Sequence, residues 1–278
     1  MPSLQPNSTI LIDGNAYLYR FYHGSEPRFR GNGEPTHVIY SYMMFLRTCL
    51  FRYKPERLIV VFDAPGTNFR HQLYAAYKAH RHTMPDDLRS QIEPVKRAIT
   101  LLGIPVIEIP NVEADDSLAT LALNYAKKGD MNYIFSLDKD LTQLISDKVH
   151  IVHDRKKLIL DADFIKNKYG VYPDQIIDLL ALTGDDADNI PGVEGVGLKT
   201  AAKFLQTWGT LENIIANAHW VKGKVGDNLR KSIDKLLLSK QLTTIKLDVP
   251  LSLGPNEAEL TPEDKAGIRK FCDEYEFK

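Results

Sequence analysis

The sequence predicts an α/β protein in which a mostly parallel sheet, covered by helices on both faces, is followed by a helical subdomain. Three observations carry this. Short apolar runs of strand length, STILID, LIVVFD, IPVIEI and NYIFS, alternate with helical patterns through the first half of the chain. That alternation is the mark of parallel strands joined by crossover helices. Aspartates stand at the C-terminal ends of the runs, the edge at which open sheets of this kind receive ligands. From about Asp161 onward the periodicity is helical throughout.

Taken in order, STILIDG reads as a short buried strand with Asp13 at its end. A polar-aromatic segment follows, NAYLYRFYHG, then a helical pattern from Thr36 to Tyr53 that Pro55 closes. LIVVFD, residues 58–63, is a second buried strand ending in Asp63. Residues 66–85, GTNFRHQLYAAYKAHRHTMP, set Arg70, Lys78 and Arg81 among Tyr74 and Tyr77. Composition alone reads them either as a solvated amphipathic helix or as an interacting arch. IPVIEI, residues 104–109, is a third strand and runs into NVEADDSLATLALNYAKKG, a helix with an acidic first turn and Gly129 at its stop. NYIFSLDKD is a fourth strand ending in Asp138 and Asp140, and VHIVHDRKKLIL reads as a hairpin with DRKK as its turn. The remainder is helical: DFIKNKYG, PDQIIDLLALTG, LKTAAKFLQTWG, TLENIIANA and a basic helix around NLRKSIDKLLLSK. These readings divide the chain into an α/β unit, 1–160, and a helical unit, 161–278, without internal repeats or low-complexity segments.

The composition, 44% hydrophobic and 26% charged over 278 residues, is that of an ordinary globular protein. Two cysteines, Cys49 and Cys272, match no metal-ligand spacing and suit a reducing compartment. The N-terminus has no basic region followed by an apolar run, so it does not read as a signal peptide. The longest apolar runs are of strand length and cannot span a bilayer. These features set the expectation of a cytoplasmic protein without membrane association.

Residues 184–200, GDDADNIPGVEGVGLKT, bring two kinds of chemistry together. Asp185, Asp186 and Asp188 repel one another in water, and such clusters either sit solvated or hold hard cations through oxygen ligands. Gly192, Gly195 and Gly197 then form a tight apolar turn into a helix, where backbone N–H groups can approach an anion and Lys199 adds a point charge. A P-loop is disfavoured, because Leu198 intrudes before Lys199 and no buried strand precedes the turn. Elsewhere, Asp13 and Asp63 end apolar strands, a costly place for a carboxylate unless it is paired or metal-bound. Asp115 and Asp116 are either capping-region acids at a helix start or ligands. Lys139 in SLDKD either neutralises its neighbours or stands beside a metal. The eight histidines lack ligand spacing, which argues against zinc.

With EADD at 113–116, SLDKD at 136–140 and GDDADNIPGVEGVGLKTA at 184–201, the chain resembles the 5′ nuclease family, which groups the nuclease domain of bacterial DNA polymerase I, phage 5′ exonucleases and flap endonucleases. LIDGNAYLYRFYH, VFDAPGTNFRHQLYAAYKAHR, MPDDLRSQIEP, TIKLDVPL and the terminal EYEFK favour the bacterial polymerase I branch. The resemblance covers essentially the whole chain. It implies a PIN-like, resolvase-like core with a helical arch at about 66–90, and a helix–hairpin–helix element at about 188–208.

By position, the resemblance implies a first metal group of Asp13, Asp63, Glu113 and Asp115, with Asp116 beside them, and a second of Asp138, Asp140, Asp185 and Asp188. It implies catalytic roles for Lys78, Arg81 and Arg20, with Tyr77 as a stacking aromatic and Arg70 as a DNA contact in the arch. Gly192, Gly195, Gly197, Lys199 and Thr200 would grip duplex backbone, with room for a monovalent cation at the turn. Two Mg²⁺ or Mn²⁺ ions about 4 Å apart would activate water and clamp the scissile phosphate. The expected reaction is hydrolysis of DNA near a 5′ flap or 5′ single-strand/duplex junction, in replication and repair, by a monomer in the bacterial cytoplasm or nucleoid. A polymerase module would act in cis or in trans. The alternatives are a PIN-type ribonuclease, which the helical second unit disfavours, and a non-catalytic helix–hairpin–helix DNA-binding protein, which the complete acidic set disfavours. Leu137 and Ala187 depart from the family pattern at positions able to alter hydrogen bonds around the ligands. No polymerase module follows Lys278, as for a stand-alone nuclease or a segment of a longer polymerase.

Net charge is −1, yet nine of the 36 acids fall in the candidate ligand set, and the remaining 27 face 35 bases. The rest of the surface therefore carries an excess of eight positive charges, compatible with a nucleic-acid partner.

Overall fold

The computed structural model describes residues 3–5, 7–251 and 258–277, so the final lysine of the EYEFK motif lies outside the described residues. Six strands form one sheet: β1 (Thr9–Asp13), β2 (Arg57–Asp63), β3 (Val106–Ile109), β4 (Asn132–Phe135), β5 (Val149–His153) and β6 (Leu158–Leu160). Their spatial order is β3-β2-β1-β4-β5-β6, parallel except for the β5–β6 hairpin that VHIVHDRKKLIL predicts. Around them lie α1 (Gly14–Gly24), α2 (His37–Tyr53), α3 (Phe69–Leu73), α4 (Asp86–Arg89), α5 (Ile92–Leu101) and α6 (Ala114–Lys127). The helical half comprises α7 (Ala162–Tyr169), α8 (Ile176–Thr183), α9 (Leu198–Trp208), α10 (Leu211–Ala216), α11 (Gly223–Lys231) and α12 (Ile233–Thr243), and the last helix is α13 (Lys265–Glu274).

Strand alternation divides the core between the two faces of the sheet. Ile10, Ile12, Leu58, Val60, Phe62, Tyr133 and Phe135 pack toward α1, α2 and α5. Leu11, Ile59, Val61, Ile107, Ile134 and Ile151 face α6, and through it the helical half. Both faces are covered, which is why these strands read as unbroken apolar runs. Among the described residues, no helix is long and apolar enough to cross a membrane.

Register decides where the acids meet. Asp13 lies level with Val61 of β2, and Ile12 with Phe135 of β4. All three strands are parallel, so Asp13, Asp63 and the Ser136–Asp140 segment emerge at one edge. At Gly14 a Cβ would stand 2.6 Å from the Phe62 ring, so a side chain there would displace α1 and the aspartate before it.

Two features differ from the sequence expectation. The segment expected as a helical arch is helical only in α3 and α4; between them it turns down onto the acidic edge, where Tyr77 packs with Ile190 and Leu242. In addition, α13 leaves the helical half and packs on α5, with Ile268 and Phe271 joining the core on that side. Residues 265–277 thus build onto the α/β layer, although they follow the helical unit in sequence. An amphipathic helix shows that it needs an apolar surface, but not which one.

Candidate active site

The strand-end carboxylates open into a cleft of about 940 Å³, lined by Asp13, Asp63, Glu113, Asp115 and Asp138 on its acidic side. Local hydrogen bonds aim each of them. Asp13 caps α1 by accepting the Ala16 N–H at 2.9 Å, and its other oxygen accepts the Ser136 hydroxyl at 2.7 Å. Asp63 accepts the Ala114 N–H at 2.7 Å at the start of α6. Glu113 and Asp116 form a reciprocal capping box on the same helix, so the acidic first turn does cap α6 as well as supply Glu113 and Asp115 to the cleft. Asp138 accepts the Asp140 N–H at 2.8 Å.

Beside the cleft, one carboxylate oxygen from each of Asp140, Asp185 and Asp188 lies within 4.8 Å of the others. Asp140 Oδ1 is buried and accepts no hydrogen bond; its nearest cation is Lys139 Nζ at 3.6 Å. An orphaned buried carboxylate oxygen in an all-oxygen triad fits a hard divalent cation. Lys139 also bonds Asp185 at 2.6 Å, so it neutralises its neighbours and stands among the candidate ligands at once. Asp138 lines the cleft with the first group while bonding into the second, and so joins the two.

The basic residues of the 66–85 segment reach these acids. Lys78 contacts Glu113 and lies 3.7 Å from Asp188, while Arg81 bonds Asp188 at 2.6 Å. The chain is held in place by the Lys78 N–H donating to the Asp188 carbonyl at 3.0 Å and by Asn189 donating to Ala76 at 2.7 Å. Lys78 accordingly adopts a left-handed φ of 55°.

Crowding and burial set the protonation states. Burial lifts Asp13 from 3.8 to about 6, with Asp63 and Asp138 adding repulsion, and burial lifts Asp140 to about 7, with Asp138 next. Asp115 is held well above the usual carboxylate range by burial, then by Asp138 and Asp13. For Glu113 burial also pushes upward, but Lys78 and Arg70 outweigh it and the net shift is downward. Asp13 and Asp140 bind protons more readily folded than unfolded. Their contribution to stability is complete below the ordinary value of 3.8 and is lost as pH rises through about 6 and 7. A divalent cation favours the ionised forms and opposes that loss. In EDTA the Tm should therefore fall between about pH 5 and pH 8 through these two groups, and Mg²⁺ should raise it more at pH 8 than at pH 5. A Mg²⁺ increment that is the same at both would separate these carboxylates from metal binding.

Several of the expected site residues are engaged in contacts within the protein. Arg70, expected as a DNA contact, has a side chain only 3% exposed; it grips Asp116 through two bonds of 2.8 Å and donates to the carbonyls of Leu242 and Thr244. Asp116, expected beside the metal, is 0% exposed and spends its oxygens on Arg70 and on the N–H groups of Lys246 and Glu113. Together they fasten the 66–85 segment and α12 to α6. Tyr77, expected to stack on a base, is buried, and its hydroxyl donates to Glu113 at 3.0 Å. Arg20, expected at the scissile phosphate, lines the cleft but is bound to Asp154 at 2.6 Å. Arg70→Met should cost about 3–5 kcal/mol, because it strands the Asp116 charge in the interior, and urea unfolding measures it. A variant as stable as the parent but weakened in DNA binding would return Arg70 to nucleic-acid contact.

The glycine turn divides in two. A Cβ on Gly192 would meet the Thr183 and Gly184 backbone at 2.3–2.4 Å, so Gly192 joins the turn to the end of α8 and does not face outward. Gly195, at φ 82°, and Gly197, with open space around it, precede the exposed Lys199 at the start of α9. The Thr200 N–H is already bonded to the Gly197 carbonyl. Leu137 is 44% exposed at the cleft, and the Ala187 N–H closes a turn on Asp185. Sequence reasoning missed Asn68, which donates to Glu113 at 3.0 Å, and Asn15, which accepts the Asp63 N–H. It also missed His153, Arg155 and Lys156 on the cleft wall; DRKK was legible only as a turn.

Residues 8–170 match the family model described as 5′-3′ exonuclease, N-terminal resolvase-like domain, and residues 171–266 match 5′-3′ exonuclease, C-terminal SAM fold. A 5′-3′ exonuclease of Buchnera aphidicola subsp. Baizongia pistaciae is 40% identical over 276 residues, 96% of this chain and 91% of that protein. The thermostable DNA polymerase I of Thermus aquaticus is 38% identical over 278 residues, all of this chain but only 33% of the polymerase. Among solved structures, a flap endonuclease of bacteriophage T5, in a pseudo-enzyme-product complex with DNA and metal ions, superposes with a TM-score of 0.71 at 26% identity, covering 86% of this chain and 89% of that one.

Proposed function

Because this chain belongs to the 5′-3′ exonuclease family, we propose that it hydrolyses DNA beside 5′ single-strand/duplex junctions, as an exonuclease and as a flap endonuclease, using two Mg²⁺ or Mn²⁺ ions. The observation that carries this reading is the convergence of five carboxylates with Lys78 and Arg81 around one cleft. Asp13, Asp63, Glu113 and Asp115 would hold one ion, and Asp140, Asp185 and Asp188 the second, with Asp138 standing between the two groups. Bound there, the ions supply Lewis acidity and an activated water. Lys78 and Arg81 neutralise Glu113 and Asp188 and stand ready to turn toward a phosphate, adding positive charge where negative charge develops. Arg20, held at the cleft by Asp154, would add positive charge beside the scissile phosphate. The turn at Gly195–Lys199 would hold duplex phosphate away from the reacting bond. The polymerase portion of the Thermus relative makes a polymerase, in cis or in trans, the fitting partner.

The test uses a 5′-labelled DNA flap, its RNA counterpart and linear duplex, each with Mg²⁺ and with EDTA. The expected result is Mg²⁺-dependent cutting at the junction of the DNA flap. Equal cutting of the RNA flap would favour a ribonuclease, and turnover in EDTA would remove the metal reading.

A further inference from the structure

The cleft has a second basic wall, contributed by the turn of the β5–β6 hairpin. His153, Arg155 and Lys156 line the cleft together with Arg20. The turn is fastened from beneath by Asp154, which is 5% exposed and accepts the Tyr17 hydroxyl at 2.8 Å and Arg20 Nη1 at 2.6 Å. The His153 ring accepts the Lys156 N–H at 3.4 Å, and Lys157 closes the turn at a left-handed φ of 56°.

The charges on this wall are distributed unevenly. Asp154 pairs with Arg20, and elsewhere on the cleft lining Lys78 and Arg81 pair with Glu113 and Asp188. Arg155 and Lys156 are exposed and form no ion pair among the described residues. Cations serving only to neutralise the acidic floor would sit in contact with it, as Lys78 does. These two stand at the cleft uncommitted, on a turn that a buried carboxylate holds in place. An unpaired cation pair on a rigid support beside a metal-ligand floor suits a polyanionic backbone crossing that floor.

Resting on the nuclease reading above, we propose that Arg155 and Lys156 bind the backbone phosphates next to the scissile bond, on a part of the cleft lining separate from Lys78 and Arg81. Duplex farther away is held by the glycine turn and does not reach this wall. Phosphate contacts of this kind position the strand and carry no sequence preference.

The test is the double variant Arg155→Gln/Lys156→Gln, both positions being exposed, with an unchanged Tm as the check on folding. Binding to a DNA flap and to a blunt duplex is measured in Ca²⁺ across salt, and single-turnover cleavage in Mg²⁺. Flap affinity should fall about tenfold and the magnitude of its salt slope by between about one and two units, with blunt-duplex binding unchanged. Cleavage at subsaturating enzyme should fall about tenfold, in step with the lost flap affinity. Unchanged flap affinity and slope, equal loss on blunt duplex, or lost cleavage with binding intact would each overturn the assignment. If the parent protein itself fails to cut the flap in Mg²⁺, the nuclease reading falls instead, so the two failures are distinguishable.

Discussion

Asp63→Ala and Asp138→Ala should each cut a DNA flap at least about a thousandfold more slowly than the parent in Mg²⁺, a loss of roughly 4 kcal/mol of transition-state stabilisation. Both residues line the cleft, one at the end of β2 and the other just beyond β4. Neither loss should come from unfolding. Asp63 and Asp138 each add repulsion to Asp13, and relieving like charge at a crowded site rarely destabilises. Each variant has a local cost, because the Asp63 carboxylate accepts the Ala114 N–H and the Asp138 carboxylate the Asp140 N–H; losing such a bond costs on the order of 1 kcal/mol. Tm and circular dichroism should therefore stay near the parent while single-turnover rates collapse, and DNA binding in Ca²⁺ should persist. Undiminished cleavage by either variant would remove that carboxylate from the reaction.

Lys78→Ala and Arg81→Ala should each lower the single-turnover rate by on the order of a hundredfold, the scale of a lost transition-state charge contact. Arg81 has a side chain 52% exposed and reaches Asp188 from the rim, whereas Lys78 is 17% exposed and lies between Glu113 and Asp188. Saturating metal and substrate separate two explanations. If the cations only neutralise carboxylates, bound Mg²⁺ takes over that task and both variants recover parental rates. If they stabilise the reacting phosphate, the deficit remains at any Mg²⁺ concentration. Affinity for plain duplex should barely change in either variant if duplex is held, as proposed, at the glycine turn. Parental rates on flaps would reduce both residues to a neutralising surface.

Whatever depends on neighbours in sequence was legible before the structure. The strands ending in Asp13 and Asp63, and β4, which stops at Phe135 short of the expected Asp138, announce themselves by apolar runs, and α6 by its acidic first turn and Gly129. A parallel sheet then has only one edge at which such strand ends can meet. The β5–β6 hairpin was likewise readable, because hairpin pairing is local.

Tertiary structure decided which charged residues of the 66–85 segment face solvent and which face protein. Arg70 and Arg81 sit in one amphipathic stretch with similar surroundings in sequence, yet Arg70 is committed to Asp116, 46 positions away, and Arg81 to Asp188, 107 positions away. Tyr77 is buried because it packs with Ile190 and Leu242, contacts that no short window contains. Asp154 carries no sequence signal separating a buried anchor from a turn aspartate; its burial follows from where α1 places Tyr17 and Arg20. The sequence by itself determined the carboxylates and the sheet edge that gathers them, because strand periodicity is a short-range property of the chain. The assignment of the cations, to interior anchors, to carboxylate partners or to an open wall, was decided only by the tertiary structure, because it depends on long-range pairings that satisfy buried charge.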